Sequence, residues 1–438
     1  MKIVLPHADL NKKGSRGFEM TELIKKKAKS AWNYIRTFFK WLVISLFVGG
    51  VGGFVGALFH LSIDYVTKVR MGNSWVVFLL PLGGVVIVFL YKVSGMWENG
   101  GTNNVINSVK EKEKVPAKLA PLIFVSTVIT HFLGGSSGRE GAALQLGGSI
   151  GAQTARIFRQ EHMNENIVIM CGMSSVFSAL FGTPITAAVF AIEVISVGIM
   201  YYAGLVPCIL SAMVAYGVAG MFGIKPVHFD ISGIPVPGVL SVGKVMAVAA
   251  LCAVVSIVFC VSMKGTAKLM KRVVKNDYLK AVLGGVVIII LTMLIGHGRY
   301  NGAGMETVSE AMKGNALWYD FIFKIIFTAI TLAAGFKGGE IVPTFFVGAT
   351  FGCAIGGLLG LDSGFAASLG LTALFCGVVN CPFAAFLLAV ELFGGEGIIY
   401  YAVTAGISYM LSGYYGLYSS QKIVYSKLRA EYINIDAK

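Results

Sequence analysis

Two glutamates stand where an otherwise apolar chain breaks into glycine. The first break reads Gly134-Gly135-Ser136-Ser137-Gly138-Arg139-Glu140-Gly141. The second reads Gly335-Phe336-Lys337-Gly338-Gly339-Glu340-Ile341-Val342-Pro343. Subtracting 200 from the second numbering lays Gly338 on Gly138 and Glu340 on Glu140. A carboxylate at membrane depth carries a large desolvation cost and marks a functional site by default. Two of them, one in each half, point to a transport pathway built on an internal duplication. A broken helix exposes backbone N–H groups with partial positive charge, and glycine lets that backbone approach an anion closely. A carboxylate at such a helix start is a tethered anion. A proton removes its charge and frees the site, so one group can link a proton to an anion. The structural alternative for Glu140 is an N-terminal cap or a pair with Arg139. The repeat and the membrane setting favour the functional reading. Most of the 55 glycines serve close helix packing instead.

The elements that position these groups are membrane helices. Of 438 residues, 56% are hydrophobic and 13% charged, and mean hydropathy is +0.75. That excludes an ordinary soluble globule and implies an all-α polytopic membrane protein. Apolar runs cover roughly 41–66, 75–93, 117–133, 167–181, 183–222, 241–264, 279–296, 318–334, 341–360, 365–379, 382–393 and 397–415. They are long and continuous, unlike the short alternating segments of outer-membrane strands. Several fall short of a bilayer span and many contain Gly, which predicts short, broken, tilted helices. Cys171, Cys208, Cys252, Cys260, Cys353, Cys376 and Cys381 lie in or beside apolar runs without metal-ligand spacing, so they read as packing residues. No metal or cofactor is expected.

The net charge of +14 sits in loops and ends. It suits an anionic membrane leaflet rather than nucleic acid. The first 40 residues carry ten Lys/Arg against three acids, and the stretch from Glu22 to Trp41 reads as a basic, aromatic-lined surface helix. It is too long for the n-region of a cleaved signal peptide. The positive-inside rule places this end in the cytoplasm, and Lys422, Lys427, Arg429 and Lys438 suggest the same side for the C-terminus. The expected layout is a basic segment over 1–40, a first repeat over 41–222, a Pro-rich loop over 223–240, a second repeat over 241–420 and a tail over 421–438. No regulatory nucleotide-binding module is expected.

The repeat extends past the glutamates. Pro184 to Glu193 matches Pro382 to Glu391 at an offset of 198, and Gly100-Gly101-Thr102-Asn103-Asn104 weakly matches Gly298-Arg299-Tyr300-Asn301-Gly302. For Glu193 and Glu391 a structural role is favoured, capping loop amides or pairing with a base. A rival motif lies in the first break, where Gly134 to Gly138 contains both the G-x-S-x-G and the G-x-S-G strings, as in serine hydrolases and intramembrane serine proteases. It would make Ser137 a nucleophile with His297 as base. The second break has Phe336-Lys337 in place of the serines while a glutamate recurs, so the hydrolase is a remote alternative.

These motifs resemble those of the CLC family of anion channels and proton-coupled anion antiporters. Gly138-Arg139-Glu140-Gly141 resembles its GREGP signature, and Gly339-Glu340-Ile341-Val342-Pro343 its GxFxP signature. Gly182-Thr183-Pro184 through Glu193 and Leu417-Tyr418-Ser419-Ser420 also fit, so the resemblance covers roughly 41–430. It implies an inverted-repeat bundle, a homodimer with one pathway per subunit, and Glu140 as the gate. Ala142 replaces the signature's proline. Gly101 to Ile106 replaces the chloride-coordinating GSGIP and loses its Ser and Pro. Val194 stands where chloride/proton antiporters carry an inner acid, and Glu340 adds an acid to GxFxP. These departures are similar to the fluoride/proton antiporter branch.

Fluoride is small and strongly hydrated, so replacing its water needs dense donors. Asn103 and Asn104 each offer an amide NH₂ where Ser offers one hydroxyl; an ordinary cap or turn pair is the alternative. Tyr418 matches the family's pore tyrosine by its Leu-Tyr-Ser context, with Tyr415 and Tyr425 as the alternatives. The resemblance thus implies a secondary transporter, not an enzyme, that exports fluoride against protons. Glu140 would be gate and proton carrier and Glu340 a second titratable group, both protonatable in the working pH range, which burial favours. Thr102, Asn103, Asn104, Gly138, Arg139, Gly141, Gly339, Ile341, Val342 and Tyr418 would hold the anion. A chloride/proton antiporter and a passive channel of the same fold are the alternatives.

Overall fold

The computed structural model describes residues 11–98, 100–111, 113–296 and 298–438, without the side chains of 11–21, 24, 162 and 163. His297, the base invoked for a hydrolase, lies outside the described residues. The chain divides into one unit up to Ile44 and another over Ser45–Lys438. In the first, residues 11–44 are helical, and Trp32, Tyr34, Phe38 and Phe39 are exposed along a helix that also carries exposed lysines.

In chain order the helices are α1 (Asn11–Gly72), α2 (Leu80–Val93), α3 (Thr102–Glu111), α4 (Leu119–Phe132), α5 (Glu140–Ile157), α6 (His162–Phe181), α7 (Pro184–Glu193) and α8 (Leu205–Met221). A second set follows: α9 (Val239–Val273), α10 (Asp277–Ile295), α11 (Met305–Met312), α12 (Asp320–Ala333), α13 (Ile341–Gly356), α14 (Ser363–Val379), α15 (Pro382–Phe393) and α16 (Ile398–Leu411). The eight of one set correspond in order to the eight of the other. Among the described residues seven helices are long and apolar enough to cross a membrane, and others are shorter apolar pieces. Lipid-facing stripes are plain on α2, where Leu82, Val86, Phe89 and Val93 are exposed, and on α9, where Leu251, Val254, Val258 and Val261 are exposed. Side chains three and four apart share one helix face, and such apolar faces are stable only in lipid or against another protein.

The interior helices are different. Helix α5 is almost wholly buried although its sequence is rich in Gly, Ala and polar residues. Surrounded by protein, it needs close approach rather than lipophilicity. A Cβ on Gly147 would collide with the carbonyl of Gly172 on α6, and one on Gly172 with that of Gly147. Gly348 and Gly370 make the same reciprocal contact between α13 and α14. Backbone-to-backbone packing of this kind replaces the hydrophobic drive that is missing between membrane helices. All seven cysteines are free and buried.

The apolar run over 183–222 is two helices rather than one. Helix α7 ends at Glu193, and Ser196–Val197 (β1) pairs in parallel with Lys422–Tyr425 (β2), which pairs antiparallel with Tyr432–Asp436 (β3). Half of the last 18 residues are therefore bound into a small sheet. Their backbone also returns to the body: Gly416 N–H donates to the Lys438 carbonyl, and Lys438 N–H to that of Tyr414.

Candidate transport site

The two breaks meet. Gly138 N–H donates to the Gly339 carbonyl at 2.7 Å and Gly339 N–H to the Gly138 carbonyl at 2.7 Å. This two-residue antiparallel bridge joins the starts of α5 and α13. Neither glycine tolerates a side chain, since a Cβ on Gly339 would strike the Gly141 amide and one on Gly138 the Glu140 carboxylate. A second exchange flanks the bridge: Ser136 N–H donates to Thr331 Oγ1 at 3.1 Å, and Lys337 N–H to Thr130 Oγ1 at 3.3 Å.

These exchanges fix the register of the repeat at 201 rather than 200. Gly138 corresponds to Gly339, Thr130 to Thr331 and Ser136 to Lys337. Arg139, the N-cap of α5, corresponds to Glu340, the N-cap of α13. The two glutamates are therefore not equivalent positions, contrary to their alignment in sequence. A shift of one residue turns a helical side chain by about 100°, so the carboxyls reach the junction by different routes. The weaker match fails similarly. Helix α3 begins at Thr102, inside its motif, whereas α11 begins at Met305, past Gly302. Asn301 accordingly sits in the preceding turn, its side chain accepting from Thr292 Oγ1 at 3.2 Å.

Glu140 is fully buried. Its Oε2 accepts from Arg139 N–H at 2.9 Å and, across the bridge, from Val342 N–H at 3.1 Å. The carboxylate from the start of α5 thus occupies the N-terminus of α13, in the other half, rather than that of its own helix. Arg139 Nε lies 3.9 Å from Oε1, which accepts no hydrogen bond within the protein. The Arg139 guanidinium also lies over the Phe181 ring, 6.0 Å from its centroid.

Glu340 is half-buried and makes no capping bond to its own helix. Its carboxylate leans the opposite way: a methyl on Gly141 would lie 3.3 Å from Glu340 Oε2 and 3.6 Å from Thr102 Oγ1. Each half therefore sends a carboxylate to the helix start of the other. Tyr418 is buried, with its hydroxyl unpartnered and within electrostatic reach of both Glu340 and Glu140. Ser137 Oγ is likewise buried without a partner, and no described histidine bonds to it. Buried polar atoms are normally satisfied. Unpartnered oxygens of Ser137, Glu140 and Tyr418 suit a region through which an ion or proton passes.

The residues of α3 are more committed. The Thr102 hydroxyl donates to the Gly141 carbonyl at 3.2 Å and accepts from Gln145 Nε2 at 3.1 Å. Asn103 Oδ1 accepts from Ser420 N–H at 3.0 Å, tying α3 to the tyrosine segment, and Lys110 Nζ bonds to the Ser420 carbonyl. That leaves the Asn103 amide NH₂ without a protein acceptor. Asn104 donates its NH₂ to Glu113 Oε2 at 3.0 Å. An amide NH₂ carries two N–H donors, so among the described residues Asn104 keeps one N–H free of a protein acceptor and Asn103 keeps both. Ile341 and Val342 supply the first amides of α13.

Glu193 and Glu391 take the structural role. Glu193 accepts from Phe383 and Ala384 N–H at 3.1 and 2.8 Å, and Glu391 from Ile185 and Thr186 N–H at 3.0 and 2.8 Å. Helices α7 and α15 lie antiparallel, each capped by the last-turn glutamate of the other. Their Pro residues stand at N1, where no N–H is needed.

Two side chains that position the site were missed in sequence. Gln145 orients the Thr102 hydroxyl. Gln421 is buried and donates to the Val194 and Val379 carbonyls at 3.0 and 2.9 Å, while Asn380 Nδ2 donates to its Oε1 at 3.1 Å. Its own N–H donates to the Tyr418 carbonyl at 3.0 Å, so it fixes the turn that holds Tyr418. Position Val194 is thus bound to the tyrosine segment through its backbone. The one available signal was an amide side chain inside a small-residue helix or beside Leu-Tyr-Ser-Ser.

The chain has known relatives. Residues 83–413 match the sequence family described as voltage gated chloride channel. A chloride/fluoride channel protein of Pseudomonas syringae pv. tomato is 33% identical over 395 residues, covering 89% of this chain and 87% of that protein. An H(+)/Cl(-) exchange transporter, ClcA of Vibrio parahaemolyticus, is 24% identical over 81% of this chain and 82% of its own length. Among solved structures, a CLC-type fluoride/proton antiporter superposes with a TM-score of 0.85 at 28% identity, covering 88% of this chain and 98% of that one. A slow cyanobacterial Cl-/H+ antiporter shares the fold, with a TM-score of 0.74 at 19% identity over 85% of this chain and 94% of that one. The chain is a multi-pass membrane protein with the inverted-repeat fold of these transporters, and it belongs to the voltage gated chloride channel (CLC) family.

Proposed function

We propose that this protein is a proton-coupled antiporter that exports cytoplasmic fluoride in exchange for inward protons. The observation that carries the reading is the Glu140 carboxylate seated on the first amides of α13. A helix N-terminus is an anion site, and here a protein side chain fills it. Protonation of Glu140 removes the charge that the Val342 and Arg139 amides hold. The side chain then leaves and an anion takes those donors. Loss of the proton returns the carboxylate and expels the anion. Glu340 supplies a second proton acceptor at the same junction, taking the part of the inner acid that Val194 lacks. Two carboxylates facing one junction repel when both are charged, so proton uptake at one is coupled to the position of the other.

Fluoride is supported by the relatives named for it and by the residues near α3. Asn103, Thr102, Tyr418 and the backbone of Gly138, Arg139, Gly141, Gly339, Ile341 and Val342 would surround the ion. Asn104 contributes its second amide N–H, the first being given to Glu113. The protein works as a homodimer with one pathway per subunit and both termini cytoplasmic. Proteoliposome efflux recorded with a fluoride electrode and a pH electrode tests the reading: fluoride leaves while protons enter, and chloride moves far more slowly. Chloride flux equal to fluoride flux would instead favour a chloride/proton antiporter, like the H(+)/Cl(-) exchange transporter that is 24% identical.

A further inference from the structure

The second break carries a cation with no acid to neutralise it. Lys337 is half-buried, and its Nζ lies 4.5 Å from the Tyr91 ring centroid and 5.2 Å from that of Trp97. No carboxylate pairs with it among the described residues. Two further lysines reach the same indole: Lys280 Nζ lies 5.7 Å and Lys92 Nζ 5.8 Å from the Trp97 centroid. Both are bound to one acid, Asp277, at 3.1 and 2.8 Å. Glu98 is exposed and pairs with no cation among the described residues. Three cations and one paired carboxylate thus surround a single ring. The Tyr91 hydroxyl beside them is buried and lacks a partner. The repeat makes the cluster more telling, because the position equivalent to Lys337 in the first half is Ser136, a small side chain bonded to Thr328 Oγ1. The lysine is therefore not required by the bridge architecture.

Its location is informative. Trp97 follows α2 and stands five residues before Thr102, the first residue of α3. It also packs on Gly335, where a Cβ would come within 3.0 Å of its ring. Ser74–Val93 is a candidate membrane span. Trp97 therefore lies at the opposite membrane face from the start of that span, five residues ahead of Thr102 along the chain. Cation–π contact holds an ammonium in place without cancelling its charge, and a concave cationic mouth raises the local concentration of anions.

We propose that Lys337, with Trp97, the Tyr91 hydroxyl and the flanking Lys92 and Lys280, forms a capture site for a small hydrated anion before it enters the α3 filter. This rests on the transport reading above and adds the place where the anion is first collected. With cytoplasmic termini, the face is the cytoplasmic one, which loads an exporter.

The test is the concentration dependence of anion efflux for wild type, Lys337→Met and Lys337→Arg in neutral and in anionic lipid vesicles. Lys337→Met raises the half-saturating anion concentration roughly three- to tenfold in both lipids, keeps the proton-to-anion ratio, and Lys337→Arg stays near wild type. Added membrane-impermeant salt raises the wild-type value toward that of the methionine variant, a measurement that needs no variant to fold. An unchanged half-saturation in Lys337→Met, or one insensitive to salt in wild type, overturns the proposal. So does a difference seen only in anionic vesicles, which would make the cluster a lipid-headgroup site. The comparison uses whichever anion the wild type moves, so failure of fluoride selectivity or of proton coupling is read separately from failure of the capture site.

Discussion

Glu140 and Glu340 differ in what holds them. Glu140 is fixed by two backbone amides from opposite sides of the bridge, whereas Glu340 has no capping bond. A gate must compete with the anion for the same donors, and only Glu140 sits on them. Glu140→Gln retains the shape and one acceptor oxygen but carries no charge and no exchangeable acid proton. Proton uptake driven by a fluoride gradient in that variant should fall by about a hundredfold or more, as read by a pH electrode. Glu340→Gln should impair coupled turnover while leaving the Glu140 contacts intact; turnover equal to wild type would reduce Glu340 to a residue of the α13 start. Sequence comparison equated the two glutamates because a one-residue slip brings like letters together in glycine-rich text. The hydrogen-bond register pairs Glu340 with Arg139 instead, and no letter pattern encodes that.

At the scale of elements, the exchange of caps between α7 and α15 explains why Pro and Glu recur nine residues apart in both halves. Each helix begins with Pro at N1 and ends with the acid that satisfies the other helix's first amides. Glu193→Ala and Glu391→Ala should each lower stability by about 0.5–2 kcal/mol, seen as a lower melting temperature in detergent. The number of protons moved per anion should stay unchanged in both. Loss of coupling in Glu193→Ala would instead give that residue a part in proton transfer. The same elements show how legibility depends on surroundings. Lipid-facing helices such as α2, α9 and α10 were plain as apolar runs. Helix α5 was not, because a helix walled in by protein is selected for small residues, and its Gly and Ala give no hydropathy signal. Helices α3 and α11 are short and amphipathic, and they fell into the gaps between runs. The break after Glu193 was hidden because β1 is apolar and is defined by its pairing with β2, more than two hundred residues away.

For the whole molecule, two halves meet at one hydrogen-bonded bridge, with a carboxylate from each half reaching the other's helix start. Composition and the repeated motifs were enough to place the chain in its family, and the fold follows from that membership. What composition could not supply is which donors near α3 are free. Among the described residues the Thr102 hydroxyl is engaged on both sides, Asn104 has given one of its two amide N–H groups to Glu113, and Asn103 has given neither while its oxygen accepts from Ser420. In the proposed function, anion choice then rests on the free amide N–H groups of Asn103 and Asn104, on Tyr418 and on the backbone of the junction. In the proposed function this arrangement exchanges fluoride for protons. The most direct measurement loads proteoliposomes with equal fluoride and chloride and records the efflux of each together with external pH. Fluoride efflux should be at least about tenfold faster than chloride, a margin of about 1.4 kcal/mol, with external alkalinisation as protons enter. Chloride leaving as fast as fluoride, or fluoride leaving with external pH unchanged, would contradict it.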